Sequence, residues 1–288
     1  MGLGEILNCL REGSVLEVEK VCVEFGGVRA LHDVTISVQS ESLSAIIGPN
    51  GAGKTTLFNV VCGYVPTTGG RVLLAGRDIS NACAWKRARF GIARTFQKVE
   101  IPETLLGWEA VAFGATARAR ASVIGEGIRS RRARREEALF RQRAEEIGAL
   151  LGLEAWLGAP VGTMPLGVRR RVELGRALAL RPKIVLLDEV ASGVDTSEIA
   201  QLAEVIRSVR ASQRVGFIMV EHDMEFVMDL AEEVFVLDRG RLLARGEPDA
   251  ILKDPAVQGA YLGISNDDGR DAAIDGSDCS RIGPTGAC

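Results

Sequence analysis

Residues 48–56 read Gly-Pro-Asn-Gly-Ala-Gly-Lys-Thr-Thr, a complete Gly-x-x-x-x-Gly-Lys-Thr pattern with Gly48, Gly53, Lys54 and Thr55 in the defining places. The chemistry that this spacing serves is phosphate binding. Glycines let backbone N–H groups turn inward and approach an anionic phosphate chain. A helix N-terminus behind them adds partial positive charge. On this reading Gly48, Pro49, Asn50, Gly51, Ala52, Gly53 and Thr56 build the cradle, Lys54 meets the β/γ-phosphates, and the Thr55 hydroxyl ligates Mg²⁺. A turn that merely joined a strand to a helix would have no need of Lys-Thr in register. A second candidate lies at Ile184-Val185-Leu186-Leu187-Asp188-Glu189, four apolar residues followed by two carboxylates. A buried strand with that ending sets both acids at the edge of a sheet where α/β folds bind ligands. Asp188 is then the expected Mg²⁺ partner, and Glu189 the better candidate for polarising an attacking water.

The elements around these residues suit them. The apolar run 43–47 reads as a short buried strand before the glycine loop, and 57–62 as a helical stretch closed by Gly63. Upstream, β-rich segments at 15–25 and 31–38 flank a Gly26-Gly27 turn, with alternation at Val34, Ile36 and Val38. Thr67-Thr68-Gly69-Gly70 makes a turn into a strand at 71–75, and Gly76-Arg77-Asp78 makes the next turn. From about 102 to 157 strand signals vanish and Ala, Arg, Glu and Leu dominate. Phe140, Ala144, Ile147 and Leu151 recur there at helical spacing, with Gly152 placed to cap the end. Beyond it come a strand at 184–187 and a helix at 197–211, whose buried stripe is Ile199, Leu202, Ala203, Ile206 and Val209. Two further apolar strands follow at 216–220 and 234–237. Residues 1–13 form a weakly patterned leader. The Asp-, Gly- and Ser-rich stretch 264–288 has little to bury and is expected to be disordered.

Bulk properties narrow the classes. A 288-residue chain, 47% apolar and 25% charged, has the composition of an ordinary soluble protein. Its net charge of −3 lacks the basic excess of a nucleic-acid binder. Six cysteines, at 9, 22, 62, 83, 279 and 288, show neither a Cys-x-x-Cys pair nor zinc spacing, as expected of reduced, incidental thiols. No run of 18 apolar residues is present, and the first residues lack the layout of a secretory signal. A role in a membrane process would be exercised from the cytoplasmic face, through a partner.

The order of these elements resembles the nucleotide-binding subunit of an ABC transporter over about residues 14–263. The resemblance implies an α/β fold, a P-loop NTPase core with an antiparallel β subdomain and a helical insertion at about 102–165. It also implies that ATP and Mg²⁺ are bound. Phe25 matches the family's aromatic ring that stacks on adenine. Gln97, in Arg94-Thr95-Phe96-Gln97, matches the glutamine that senses Mg²⁺ and the membrane partner. Met164-Pro165-Leu166-Gly167-Val168 sits at the Leu-Ser-Gly-Gly-Gln signature, so Gly167 is expected to meet nucleotide across a dimer. Ser192-Gly193-Val194-Asp195 resembles the loop that crosses that dimer. His222, in Val220-Glu221-His222-Asp223, resembles the switch histidine that contacts the γ-phosphate. Three positions depart from the pattern. Pro165 replaces the signature serine, Val168 replaces its glutamine, and Val190 stands where proline usually follows the glutamate. Losing one hydrogen bond to a charged group costs on the order of 1.5–3 kcal/mol, so slower hydrolysis is expected rather than a dead enzyme.

Phe25 to Leu31, Arg94 to Gln97, Val220 to Met224 with Val227-Met228, Asp254-Pro255 and Ala260 to Gly263 resemble the subunits for branched-chain amino-acid uptake in particular. Such a subunit pairs with a second ATPase subunit, identical or similar. The pair docks on transmembrane permeases fed by a solute-binding protein outside. Urea or amide uptake and lipopolysaccharide-type export use related subunits. A weakly hydrolytic regulatory module is the rival that Pro165 and Val168 suggest. The arginines at 118, 120, 129, 131, 132, 134, 135, 141 and 143 could meet nucleic acid or lipid headgroups. With Glu136, Glu137, Glu145 and Glu146 at helical spacing, a solvated ion-paired face is the stronger reading.

Overall fold

The computed structural model describes residues 13–95, 101–116 and 131–262. Two sheets organise them. The first is antiparallel, order β2-β1-β4-β5, from β1 (Ser14–Phe25), β2 (Val28–Gln39), β4 (Gly69–Leu74) and β5 (Arg77–Asp78). The second has the order β10-β9-β3-β8-β7-β6. It comprises β3 (Leu43–Ile47), β6 (Ile92–Arg94), β7 (Ile184–Asp188), β8 (Gly216–Val220), β9 (Glu233–Asp238) and β10 (Arg241–Gly246). All its pairings are parallel except that of β10 with β9.

The central strands β3, β7 and β8 are buried along their whole length, which is why they read as continuous apolar runs rather than as alternation. Alternation still decides which core each side chain joins. Ile46, Ile184 and Leu186 face a core shared with the antiparallel sheet and with α1 (Lys54–Cys62). Ala45, Ile47, Val185 and Leu187 face the opposite core. That second core contains α3 (Gly107–Thr116), α4 (Arg131–Leu150), α5 (Leu166–Ala179) and α6 (Thr196–Gln213). Ala144, Ile147 and Leu151 of the expected stripe are fully buried in it. Gly114 of α3 lies so close to α5 that a Cβ there would stand 1.9 Å from the Arg176 carbonyl oxygen.

The antiparallel subdomain, the helical insertion and the central sheet therefore stand as expected. Gly63 ends α1 in the left-handed conformation, with φ 81°. The turn at 67–70 is shorter than the sequence suggested, because Gly69 and Gly70 already pair within β4. Several elements gave no clear sequence signal: α2 (Ala84–Phe90), β6, β10, α7 (Met224–Leu230), α8 (Pro248–Lys253) and α9 (Pro255–Leu262). The leader, the tail beyond Leu262, Gln97 and the arginines at 118, 120 and 129 lie outside the described residues. Arg141 and Arg143 do pair along α4 with Glu145 and Glu146, at 3.2 and 3.3 Å. Among the described residues no helix is long and apolar enough to cross a membrane. Cys22, Cys62 and Cys83 are free thiols, and burial pushes that of Cys62 up to about 11.

Candidate nucleotide-binding site

The loop 48–53 leaves the C-terminal end of β3 and enters α1, so the phosphate-binding pattern sits between a central strand and a helix N-terminus. Gly48, Gly51 and Gly53 adopt φ of 146°, 78° and 101°, the left-handed region that favours glycine. Space demands it as well: a Cβ on Gly48 would fall 2.0 Å from the Leu237 carbonyl oxygen. The β9–β10 turn braces the loop from below. Gly240 donates its amide to the Ala52 carbonyl at 3.0 Å and accepts the His32 amide at 2.7 Å. From the C-terminal side, Tyr261 on α9 reaches the Gly48 amide. Burial raises the Tyr261 hydroxyl pKa, and that amide works against the rise.

Lys54 is buried, and its ammonium donates to the carbonyls of Gly48 (2.7 Å) and Pro49 (3.0 Å). Burial lowers its pKa, while the nearby Glu189 carboxylate opposes that shift. The same Coulombic pairing puts the phosphate loop and the Asp-Glu pair in one field. Their proximity follows from strand order, because β8 lies between β3 and β7 and both Ile46 and Asp188 are in register with Val220. Three strands thus end level, and the loops that follow them meet.

Asp188 is buried, with Oδ2 accepting from Arg94 Nη2 at 2.6 Å. Arg94 Nη1 donates onward to Asn59 Oδ1 of α1 at 2.7 Å. The Asp188 carboxylate is thereby fixed against the helix that follows the phosphate loop. The oxygen donors of Thr55 and Asp188 match what Mg²⁺ takes, one or two protein ligands with phosphate and water completing the shell. Among the described residues no cluster of His, Cys, Asp and Glu forms a dedicated metal cage.

Glu189 has φ 49°, a left-handed value that costs a non-glycine residue on the order of 1 kcal/mol or more. Its amide donates to the Val220 carbonyl at 2.9 Å, and its Oε1 lies 3.2 Å from His222 Nε2. Glu189 and His222 open on a cavity of about 370 Å³ together with Ala191, Ser192, Glu221 and Asp223. Phe25 stands at the tip of the β1–β2 hairpin with its surface 50% exposed, so it is not a core residue and its ring is open to a planar ligand. Gly167 lies in the first turn of α5, with Pro165 as the N-cap. A Cβ on Gly167 would come within 2.8 Å of Glu198 Oε1, so an acidic side chain of α6 faces this helix N-terminus.

Of the residues expected from sequence, 48–56, Asp188, Glu189 and His222 gather at one sheet edge. Phe25 and Gly167 belong to other surfaces. Arg94, Asn59, Glu198, Glu221 and the β9–β10 turn were missed. Glu221 adjoins His222 and Arg94 opens the segment that ends in Gln97, and strand-end position was the signal that could have found them.

Residues 31–192 match the family model for the ABC transporter. The chain belongs to that family. It is an ATP-binding subunit of an ABC transporter, and residues 241–265 also match the branched-chain amino acid ATP-binding cassette transporter model. The high-affinity branched-chain amino acid transport ATP-binding protein BraF of Pseudomonas aeruginosa is 33% identical over 249 residues, 86% of this chain and 98% of the relative. LivG of Escherichia coli K12, of the same description, is 30% identical with the same coverage. The lipopolysaccharide export system ATP-binding protein LptB of Escherichia coli K12 is 32% identical over 87% of this chain and 98% of its own length. Among solved structures, a nucleotide-free ATP-binding cassette from an ABC transporter superposes with a TM-score of 0.76 at 28% identity, covering 86% of this chain and 98% of that one. An ADP conformation of such a cassette also gives 0.76, at 27% identity, with 87% and 99% covered.

Proposed function

We propose that this subunit hydrolyses Mg-ATP to drive import of branched-chain amino acids through a membrane permease. The observation that carries the reading is the convergence, at three level strand ends, of the 48–56 cradle, Asp188 and the Glu189–His222 pair. The cargo assignment rests on likeness to BraF and LivG along 98% of their length and on the match at 241–265.

In this mechanism Lys54 exchanges a loop carbonyl for a β/γ-phosphate oxygen, and the backbone amides of the cradle hold the rest of the chain of charge. Mg²⁺, held by Thr55, Asp188 and Gln97, would neutralise charge developing on the phosphates. Phe25 stacks on the adenine. Glu189 orients the attacking water, and His222 keeps that carboxylate aimed and contacts the γ-phosphate. Positioning and charge stabilisation supply the rate, since phosphoryl transfer leaves the protein little covalent chemistry to perform.

A second ATPase subunit would face the nucleotide with its α5 N-terminus, Gly167 contributing an amide. For the permease we assign the groove of about 530 Å³ between α2 and α3, where Tyr64 and Phe113 stand exposed beside Arg94. The apolar rings offer area to a cytoplasmic segment of the permease, and Arg94 joins that groove to Asp188 in the catalytic region. The subunit then sits peripherally on the cytoplasmic face, with a solute-binding protein acting from the other side. Nucleic acid has no part in this account.

The Glu198 carboxylate at Gly167, with Pro165 in place of serine, favours a second reading, a regulatory module that holds ATP and turns it over poorly. The LptB likeness keeps export as the alternative direction, and urea or amides as alternative cargo. Turnover by the assembled transporter, measured with binding protein loaded with leucine, valine, a short-chain amide or nothing, separates them. The proposal expects leucine- or valine-dependent turnover that Glu189→Gln abolishes while ATP remains bound. Equal turnover by wild type and Glu189→Gln refutes the assignment of Glu189.

A further inference from the structure

The carboxylate of Glu221 ties the loop after Glu189 to the loop bearing His222. Glu221 directly follows β8, is 4% exposed, and has Oε1 2.9 Å from the Ala191 amide, which donates to it. The His222 amide donates to the same carboxylate. Ala191 lies two residues beyond Glu189, whose own amide is bound to Val220 just before Glu221. Two hydrogen bonds that fasten residues 189–191 therefore land on Val220, the last residue of β8, and on Glu221 directly after it. A strained left-handed residue such as Glu189 persists only where its surroundings over-determine it.

From this geometry we infer that Glu221 is a positioning residue: its side chain holds Glu189 in its left-handed conformation and sets the 3.2 Å approach of Glu189 to His222. The inference rests on the proposed hydrolytic role of Glu189. A neutral amide can accept the Ala191 N–H as the carboxylate does, whereas an apolar side chain of similar size leaves that buried donor without a partner. A shift of about 1 Å at a reacting group can cost on the order of a hundredfold in rate. The ATP-binding contacts of residues 48–56 do not involve Glu221.

The test compares Glu221→Leu, Glu221→Gln and wild type in the assembled transporter. Glu221→Leu is expected to lower kcat at least tenfold with KM for ATP changed less than threefold, and Glu221→Gln to recover most of that loss. Amide hydrogen exchange of the segment 189–194 reads the brace without turnover. Exchange there is expected to rise at least tenfold in Glu221→Leu and to stay near wild type in Glu221→Gln. If wild type does not hydrolyse ATP, the proposed function falls, and the exchange result alone decides the role of Glu221. Unchanged exchange in Glu221→Leu overturns the inference, as does a Glu221→Gln variant that falls as far as the leucine variant.

Discussion

Substituting Glu221 by glutamine is expected to stabilise the fold, and to do so more at pH 8 than at pH 5. Burial pushes this carboxyl from an ordinary 4.5 up to about 7, with the charges of Glu189 and Asp223 adding to the rise and the amides of Ala191 and His222 opposing it. Between those values the unfolded chain has released the proton while the folded chain retains it. Folding then takes up a proton, so stability falls as pH rises from about 4.5 and levels off above about 7. Carrying both values through the linkage relation gives a cost of about 1 kcal/mol at pH 5 and about 3 kcal/mol at pH 8. Glutamine has no proton to lose and keeps an acceptor for Ala191. The melting-temperature gap between variant and wild type should widen by about 4–8 °C from pH 5 to pH 8, for a domain of this size. Thermal melts of the two proteins in matched buffers at both pH values provide the assay. A gap that stays constant, or narrows toward pH 8, would refute the argument that Glu221 is buried at a raised pKa.

Two further outcomes follow from packing and exposure. Gly114→Ala should destabilise the protein by about 1–3 kcal/mol or more, because its Cβ would meet the Arg176 backbone oxygen at 1.9 Å; denaturant melts measure this. Phe25→Ala should weaken ATP binding by about 1–3 kcal/mol, the range of base stacking on an aromatic ring, and leave tripolyphosphate binding unaffected in titration calorimetry; equal ATP affinity would remove Phe25 from the site.

What the sequence disclosed and what it concealed divide along a physical line. The phosphate loop was legible because its chemistry is local: glycines, a lysine and a hydroxyl within nine consecutive residues. Buried strands showed as apolar runs, such as 43–47 and 184–187, because both faces are covered. The Asp188–Arg94 and Ala191–Glu221 bonds were not legible, since each joins residues brought together only by strand order. Short exposed elements also escaped. β10 lies at the sheet edge with only half-buried or exposed residues, and α2 has Arg87 as its sole buried residue. Nor could motif spacing reveal that Glu198 would face Gly167, because that contact depends on how α5 and α6 cross.

Capture of Mg-ATP by the 48–56 loop is tested by equilibrium binding of ATP to the purified subunit, with and without Mg²⁺ and for wild type against Lys54→Ala. Wild type is expected to bind ATP in a Mg²⁺-dependent manner, and Lys54→Ala to lose at least tenfold in affinity. Equal affinity in the two proteins, or wild-type binding indifferent to Mg²⁺, would contradict capture by this loop.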